Sequence, residues 1–365
     1  MKIAFDHQAF TMQRHGGISR YFSKLGFELS ELDQEIKIFA GIYQNHYLSK
    51  LHKELVSGTY IRKYPKKTGI IFDYFNHFLT QQQIHIYSPE IIHETYYAFA
   101  KPKKSDVPRV VTAYDMIHEL FPSSFKKNDP LTQNKKNAFN RADHIISISQ
   151  STKDDLMELF SIPDEKISVI YLASDILSSQ NPSKISANSK PFLLYVGSRE
   201  PYKNFELLLK AFSISPSLKN EFEIIAFGGG KFRDEEVNKI NEFGLSESNV
   251  RQVAGDDQVL GSLYSSATAF IYPSLYEGFG LPPLEAMSYN CPVISSNTSS
   301  MPEVIGNAGE FFDPTSVEDL IRAIENVVFS ESRTLDLKEK GRIRILDFSW
   351  TKCAKQTLEV YNNLV

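Results

Sequence analysis

Ala269-Phe270-Ile271-Tyr272-Pro273, followed after three residues by Glu277-Gly278-Phe279-Gly280-Leu281-Pro282-Pro283-Leu284-Glu285-Ala286-Met287, is the stretch that decides the fold. An apolar run of strand length leads into a loop with two glycines and then into the start of a helix, with Pro283 suited to the first helical turn. The glycines let backbone amides approach a ligand closely, and a helix N-terminus attracts negative charge. This order predicts an anion site at the end of a strand in an α/β domain.

Two glutamates flank the glycine loop. Glu277, at the end of the strand, is expected to face the same ligand-binding cleft as the glycine loop. There it would bind a sugar hydroxyl or a partial positive charge. Glu285, early in the helix, either accepts hydrogen bonds from ribose hydroxyls or complements the helix dipole, and the residue pattern leaves both interpretations open.

Strand-like runs alternate with amphipathic helical stretches along the whole chain, which is typical of α/β layers with parallel sheets. In the first half the predicted strands are 3–5, 36–40, 91–93, 110–113, 145–149 and 167–171, with a helix over 19–30. In the second half the predicted strands are 192–197, 223–227, 269–272 and 293–295, with helices over 207–212, 317–328 and 350–364.

A chain of 365 residues with 42% hydrophobic content exceeds what one core usually spans, so two domains are expected. The composition changes over residues 174–190, which are polar, Ser-rich and without periodicity, as in a linker. We therefore expect one Rossmann-like domain over 1–173, a second over 191–348, and a C-terminal helix over 349–365.

Composition excludes several classes of protein. The net charge is −4, with 22 Lys/Arg against 20 Asp/Glu in residues 1–180 and 18 against 24 in residues 181–365, which is not the balance of a nucleic-acid-binding domain. Cys291 and Cys353 have neither metal-ligand spacing nor disulfide density. Because the sequence contains no long apolar run and the apolar start at residues 1–5 is too short for a signal peptide, we expect a cytoplasmic protein.

Basic residues cluster in the first half of the chain. They occur at Arg62-Lys63, Lys66-Lys67, Lys101, Lys103-Lys104, Lys126-Lys127 and Lys135-Lys136. The pattern suits peripheral contact with an anionic membrane and equally suits solvated loops. Both interpretations remain open.

Glu277 and Glu285, with seven residues between them around Gly-Phe-Gly-Leu-Pro, resemble the signature of retaining GT-B glycosyltransferases of family 4. Further segments resemble this family in its own order at residues 15–21, 142–149, 195–204 and 299–304. The subgroup that the chain resembles comprises the mannosyltransferase-like enzymes of bacterial surface polysaccharides. The resemblance implies two Rossmann-like domains facing across a cleft and a C-terminal helix that crosses back to the first domain.

The resemblance also implies the reaction. A hexose, mannose being one candidate, would move from a GDP- or UDP-linked donor to a glycan or lipid-linked acceptor, with no cofactor and no metal. Gly278, Phe279, Gly280, Leu281 and Glu285 would bind the donor, and Glu277 would act in catalysis.

Lys203 falls where the family places the lysine that contacts the leaving phosphate. The usual companion arginine is replaced by Ser198, and another common arginine is replaced by Tyr202, which makes Arg199 a displaced substitute in catalysis. Without the resemblance, Lys203 reads as a surface lysine at a helix start.

In the first domain, Gly16 and Gly17 follow the first strand, where a loop that allows close approach of the backbone would contact the donor. Taken alone, a glycine pair would also fit a tight turn. Arg20, one turn into the next helix, is expected on the acceptor side or on the surface.

The family's His-Asp pair after the strand 110–113 is Tyr114-Asp115 here, so the usual imidazole is missing. His118 is a candidate replacement, although a lone histidine is as often structural. His93 and the following Tyr96-Tyr97, at the end of another strand, are acceptor-side candidates with Tyr114 and Asp115.

The preferred mechanism is front-face transfer, in which a departing phosphate oxygen takes the proton of the acceptor hydroxyl.

Asp256-Asp257 fit a turn and helix cap better than a metal site. Three alternative functions are a nucleotide-sugar 2-epimerase of the same fold, a dinucleotide-dependent oxidoreductase, and a non-catalytic nucleotide-sugar-binding protein. The Gly-Phe-Gly-Leu-Pro segment argues against the first, and the absence of Gly-x-Gly-x-x-Gly after the first strand argues against the second.

Overall fold

The computed structural model describes residues 1–97, 106–174 and 190–365. The chain forms two compact units. The first comprises residues 1–120, 125–173 and 349–365, and the second comprises residues 121–124 and 174–348. The predicted linker, 174–190, lies outside the described residues except for its two end residues.

The first unit contains a seven-stranded parallel sheet in the order β3-β2-β1-β4-β5-β6-β7. Its strands are β1 Lys2–Phe5, β2 Glu35–Tyr43, β3 Val56–Tyr60, β4 Ile91–Glu94, β5 Arg109–Ala113, β6 His144–Ser147 and β7 Ile167–Val169. Its α-helices are α1 Gln8–Met12, α2 Gly17–Glu31, α3 Gly69–Tyr87, α4 Ile117–Leu120, α5 Leu131–Arg141, α6 Gln150–Phe160 and α15 Trp350–Asn362.

Helix α15 belongs to the first unit although it ends the chain. Thr351 Oγ1 donates to Glu28 Oε2 of α2 at 2.8 Å, and the rings of Trp350 and Tyr21 lie 6.3 Å apart. Tyr361, near the end of α15, is fully buried. The expectation that the last helix returns to the first domain is confirmed.

The second unit contains a six-stranded parallel sheet in the order β10-β9-β8-β11-β12-β13. Its strands are β8 Phe192–Val196, β9 Glu223–Phe227, β10 Val250–Val253, β11 Ala269–Tyr272, β12 Val293–Ser296 and β13 Gly309–Phe312. Its α-helices are α7 Phe205–Ile214, α8 Pro216–Glu221, α9 Asp234–Glu242, α10 Asp257–Ser266, α11 Leu281–Ser288, α12 Met301–Ile305, α13 Val317–Val328 and α14 Glu331–Arg344.

Both units are Rossmann-like α/β layers, as expected. The central strands are continuous apolar runs, such as Phe192–Val196 and Ala269–Tyr272, because both faces of a parallel sheet are covered. In each sheet the strand order reverses once, between β1 and β4 in the first unit and between β8 and β11 in the second. Ligands of such sheets bind beyond the carboxyl ends of the strands at this reversal.

Three strands escape sequence prediction, and each lies at a sheet edge. They are β3, β10 and β13. Their sequences, Val-Ser-Gly-Thr-Tyr, Val-Arg-Gln-Val and Gly-Glu-Phe-Phe, carry polar residues or glycine. Edge strands need less apolar surface, so their hydrophobic signal is weak.

Candidate functional site

Lys203 and Glu277 meet at the strand-order reversal of the second unit. Lys203 ends a short 3-10 turn that follows β8, and Glu277 follows β11 by five residues. Lys203 Nζ lies 2.7 Å from Glu277 Oε1 and 2.8 Å from Oε2. The two residues that the sequence analysis assigned to catalysis on separate strands therefore form one ion pair at the place where this fold binds ligands.

The carboxylate of Glu277 is held in a fixed and largely buried position. Its side chain receives a hydrogen bond from Ser274 Oγ at 2.6 Å, and its backbone N–H donates to Ser299 Oγ at 2.9 Å. The hydroxyls of Ser299 and Ser300 both donate to the Glu277 carbonyl oxygen. Burial of a carboxylate at 7% exposure is costly unless it is paired, and Lys203 and Ser274 are its partners here.

The loop after Glu277 ends at a glycine that the backbone requires. Gly280 has φ 102°, a conformation that L side chains rarely adopt, and α11 begins at the next residue. Pro282 and Pro283 occupy the second and third helix positions and carry no N–H group. The amide donors at this helix start therefore come from residues 278–281, and the next two positions of the first turn offer none.

Glu285 lies one turn into α11 and is half-buried. Burial, together with the nearby Glu285 carboxylate, raises the pKa of Tyr264 well above its ordinary value. This carboxylate thus sits against a neutral phenol and keeps part of its surface accessible.

Arg199 corrects a prediction. Its side chain is 2% exposed, and its Nε donates to Glu236 Oε1 at 2.6 Å. Nη1 donates to the carbonyl oxygen of Gly228 at 2.9 Å, and Nη2 donates to those of Gly230 and Lys231 at 3.0 and 3.2 Å. Because these contacts engage its donors, Arg199 supports the loop after β9 and does not take the role of a phosphate-binding substitute.

The loop that Arg199 supports is a structural feature that the sequence analysis did not predict. Gly228, Gly229 and Gly230 have φ values of 87°, 65° and 74°, so three consecutive residues occupy the left-handed region. The loop lies at the carboxyl end of β9, next to β8. The available signal in the sequence is the run of three glycines directly after the strand predicted over 223–227.

Gly16, Gly17 and Arg20 lie at the start of α2, after β1 of the first unit. A Cβ atom on Gly17 would meet nothing within 4 Å, so packing does not require this glycine. Gly16 directly precedes the helix, and Arg20, in its first turn, is half-buried. Open space beside Gly17 suits the close approach of a ligand.

His93 is a second correction. Its side chain is fully buried, its Nδ1 lies 2.6 Å from the Tyr361 hydroxyl, and its Nε2 lies 2.8 Å from Thr112 Oγ1. Burial lowers the pKa of His93 to about 3, so the ring is neutral. His93 joins β4 to β5 and to α15 inside the core and is not in reach of an acceptor.

Tyr114 is likewise a packing residue rather than an acceptor contact. Its hydroxyl donates to the Thr95 carbonyl at 3.1 Å, and its N–H donates to the Tyr97 hydroxyl at 3.1 Å. Asp115 is half-buried, and its Oδ1 accepts from Ile117 N at 3.1 Å. The pair that replaces the family's His-Asp therefore fixes the chain after β5.

Lys135 explains how Asp115 is held. Its side chain is 1% exposed, and Nζ lies 2.9 Å from Glu119 Oε2 and 3.4 Å from Asp115 Oδ1. Lys135 was predicted to belong to a basic surface, and this is wrong because its charge is neutralised inside the unit. Lys101, Lys103 and Lys104 lie outside the described residues.

His118, the candidate replacement imidazole, lies in α4. Its ring stacks on Phe125 with a centroid distance of 3.6 Å, and its Nε2 lies 4.0 Å from Asp129 Oδ2. Burial, and then the charge of Lys135, lowers the pKa of His118. The histidine is thus biased toward the neutral form beside an acidic residue.

A cavity of about 530 Å³ opens at the strand-order reversal of the first unit. Its lining includes Gln8 after β1, Tyr96 and Tyr97 after β4, and Asp129 and Asn134 near α5. Tyr96 and Tyr97 were acceptor-side candidates, whereas Gln8, Asp129 and Asn134 were missed because no local motif marks them. The cavity offers amide, carboxylate and phenol groups to a polar ligand.

Two observations concern metal and membrane. Within residues 1–97, 106–174 and 190–365, no group of three or more His, Cys, Asp or Glu side chains is arranged to hold a metal ion. Among the helices of the same residues, none is both long enough and apolar enough to span a bilayer.

Asp256 caps α10 by accepting from the amides of Gln258 and Val259, which confirms its predicted role.

Curated relatives are similar to this chain over much of its length. O-antigen chain mannosyltransferase B of Escherichia coli is 33% identical over 230 residues, which are 60% of each chain. Serotype-specific mannosyltransferase WbdA of Escherichia coli is 31% identical over 273 residues, which are 68% of this chain and 33% of the relative. The chain thus spans between a third and three fifths of the length of these relatives.

Solved structures show the same architecture. Sucrose-phosphate synthase from Thermosynechococcus elongatus superposes with a TM-score of 0.77 at 18% identity, over 99% of this chain and 98% of the other. The similarity concerns the fold.

Family models match both halves of the chain. The Glycosyltransferase Family 4 model matches residues 15–176, and the model of Glycosyl transferases group 1 matches residues 178–344. Because these two matches adjoin and together leave out only the chain ends and one residue between them, the chain belongs to the family 4 glycosyltransferases of the GT-B fold.

Proposed function

We propose that the protein is a retaining glycosyltransferase that moves a hexose, mannose first among the candidates, from a nucleotide-sugar to a glycan or lipid-linked acceptor in surface polysaccharide synthesis. The observation that carries the proposal is the Lys203–Glu277 pair at the strand-order reversal of the second unit. Mannose is favoured because the similar Escherichia coli proteins are mannosyltransferases.

The second unit would bind the donor through the negative charge of its pyrophosphate. Lys203 Nζ, now between the two Glu277 oxygens, would turn to the pyrophosphate, which carries more negative charge than one carboxylate. Backbone amides of the loop 278–281 would contact the same phosphates. Glu285 would accept hydrogen bonds from the ribose hydroxyls, which its partial exposure permits.

Glu277 would then act on the transferred sugar. Once Lys203 turns to phosphate, the carboxylate oxygens can accept hydrogen bonds from sugar hydroxyls and stabilise positive charge at the reacting carbon. The contacts from Ser274, Ser299 and Ser300 keep this carboxylate in place while its cation moves. A fixed charge aimed at a developing charge is the strongest form of electrostatic catalysis.

Transfer would proceed on the front face. The bond between the anomeric carbon and the phosphate oxygen breaks, the acceptor oxygen forms a bond to that carbon on the same face, and the acceptor proton passes to the departing phosphate oxygen. Lys203 stabilises the leaving diphosphate, whose charge grows as the bond breaks. His118, within α4 of the first unit, is a candidate to contact the sugar, and the cavity beside Tyr96 is the candidate acceptor site.

Nucleotide binding and turnover test the proposal together. Thermal shift with uridine and guanosine diphosphates and their sugars should give stabilisation by one base, and the purified protein should slowly hydrolyse the matching donor. Lys203→Met should weaken diphosphate binding by about tenfold or more, because a charge-assisted contact is lost. Lys210→Met, at an exposed position on α7, is the matched control and should bind as the parent.

Three results would contradict the proposal. No stabilisation by any nucleotide would remove the donor site, and equal binding by Lys203→Met and the parent would remove the role of Lys203. Interconversion of the donor sugar at carbon 2 without transfer or hydrolysis would identify a 2-epimerase instead.

A further inference from the structure

Helix α3 of the first unit carries five large apolar side chains on the outside, although Ile84 of the same helix is buried in the core. Ile70 and Phe78 are 74% and 59% exposed, and Ile71, Tyr74 and Phe75 are exposed as well. At 100° per residue these five positions fall within one sector of the helix surface. We call this sector the outer face of α3.

The inner face of α3 is anchored by hydrogen bonds rather than by apolar packing alone. Asn76 is fully buried; its Oδ1 accepts from Ile42 N at 2.8 Å, and its Nδ2 donates to Ile42 O at 2.8 Å. Thr80 donates to the Phe39 carbonyl at 3.2 Å. These contacts satisfy backbone groups beside the irregularity between Phe39 and Gly41, where the β2–β3 register shifts.

This arrangement departs from that of the usual surface helix, which turns its apolar stripe inward. Of the three buried residues of α3, Asn76, Thr80 and Ile84, two are polar. The fold does not explain why five large apolar side chains lie outside. Exposed apolar patches of this kind mark surfaces that bind another partner.

The chain next to the outer face is strongly basic. Arg62, Lys63, Lys66 and Lys67, which precede α3, are all exposed. Between residues 61 and 87 the sole acidic residue is Asp73, which is partly buried and lies 3.7 Å from His7. Four positive charges beside an apolar surface complement an anionic lipid layer.

The outer face also adjoins the candidate acceptor cavity. Gly69, Ile70 and Asp73 of α3, and Tyr64 before it, contribute to the cavity lining. A lipid surface that covers α3 would therefore lie at the edge of this cavity, where a lipid-linked glycan would arrive.

We propose that the outer face of α3 docks on an anionic bilayer. Ile70, Ile71, Tyr74, Phe75 and Phe78 enter the boundary between headgroups and acyl chains, and the basic residues 62–67 contact lipid phosphates. The inference goes beyond the transfer reaction, since it concerns where the enzyme acts, and docking does not depend on donor chemistry. Apolar insertion adds to the charge attraction, so binding should persist in part at high salt.

Vesicle co-sedimentation tests the docking surface. The full chain is mixed with vesicles of phosphatidylcholine alone or with phosphatidylglycerol added. The triple variant Ile71→Ser/Phe75→Ser/Phe78→Ser should bind the anionic vesicles about tenfold more weakly or worse, because it loses the buried apolar area. The matched control Leu335→Ser/Ile343→Ser, on α14, removes two side chains of 58% and 60% exposure and should bind as the parent.

The charge contribution is tested separately. Arg62→Ser/Lys63→Ser/Lys66→Ser should lose the preference for anionic over neutral vesicles. Insertion is tested with Phe78→Trp, because brominated lipid should quench the fluorescence of the new tryptophan. The parent, whose sole tryptophan is Trp350, supplies the background signal.

Several outcomes would overturn the proposal. They are unchanged vesicle binding by the α3 triple variant, an equal loss in the α14 control, or absence of quenching in Phe78→Trp. If the parent self-associates in sedimentation velocity, the α3 variant does not, and neither binds vesicles, the outer face is a protein contact. Nucleotide binding and donor hydrolysis without vesicles should be the same in the triple variant and the parent, so a failure of docking is distinguishable from a failure of the proposed transfer.

Discussion

Lys203 and Arg199 lie four residues apart after the same strand, yet their surroundings separate their roles. Arg199 donates to backbone carbonyls of residues 228–231 and to Glu236, so moving it would leave a loop unsupported. Lys203 is 17% exposed and pairs with Glu277, whose charge an incoming phosphate can outweigh. An exchangeable carboxylate partner is compatible with ligand binding, whereas a set of fixed carbonyl partners is not.

The same reasoning predicts different effects for the two glutamates. Glu277→Ala should lower kcat by about 100-fold with a smaller effect on donor affinity, because its charge acts on the reacting sugar. Glu285→Ala should weaken donor binding by about tenfold, the value of hydrogen bonds to a charged group, with a smaller effect on kcat. Steady-state kinetics and nucleotide titration measure both.

A Glu277→Gln variant serves as the control, since it keeps a side chain that can accept from Ser274. Its turnover should also fall, because the charge is what matters. Normal transfer rates in both alanine variants with an accepted donor would show that the site is elsewhere.

At the scale of elements, the last helix is built into the core of the first unit. Tyr361 of α15 contacts His93 of β4, which also contacts Thr112 of β5, so one neutral imidazole links a helix and two strands. Because burial lowers the pKa of His93 to about 3, below the ordinary value of 6.5, the folded unit binds fewer protons than the unfolded chain between these values. Stability from this contact is complete above pH 6.5 and is lost as the pH falls toward 3.

We therefore expect the first unit to lose about 2 kcal/mol of unfolding free energy from His93 alone between neutral pH and about pH 5. Urea unfolding followed by Trp350 fluorescence measures this, since that sole tryptophan lies in the first unit on α15. His93→Gln should be less stable at neutral pH and should show a smaller loss on acidification. An equal loss in both proteins would contradict the assignment of the pH dependence to His93.

At the scale of the whole molecule, each unit supplies a complete parallel sheet with its own order reversal. In the proposed site, the positive charge at the donor diphosphate would come from Lys203 and from backbone amides of the second unit. The candidate acceptor cavity and the outer face of α3 belong to the first unit. The proposed donor site and the proposed acceptor cavity thus lie in separate parts of the chain.

Transfer by the whole protein should persist in excess EDTA, because the leaving diphosphate is assigned to Lys203 and to backbone dipoles rather than to a divalent ion. Rates measured with and without the chelator should agree within about twofold. Loss of transfer on chelation, with recovery on adding Mg²⁺ or Mn²⁺, would refute this account.

The sequence by itself determined the central strands of both units, the order of strand, loop and helix around Glu277, and the placement of Lys203 and Glu277 at the carboxyl ends of neighbouring strands. These features follow from local patterns: apolar runs form the central strands, and parallel strands bring their carboxyl ends to the same edge. Gly280 is of the same kind, because its left-handed backbone is a property of the turn itself.

Only the tertiary structure decided the roles of Arg199, His93 and Lys135 and the orientation of α3. His93 meets Tyr361 across 268 positions of sequence, and Arg199 meets Glu236 across 37. A charged or aromatic side chain carries no local mark of the partner that will bury it, so sequence patterns place such residues at a ligand as readily as in the core. The orientation of α3 follows the same rule. Polar residues on its inner face bond to backbone groups of β2, and no pattern within the helix reveals those partners.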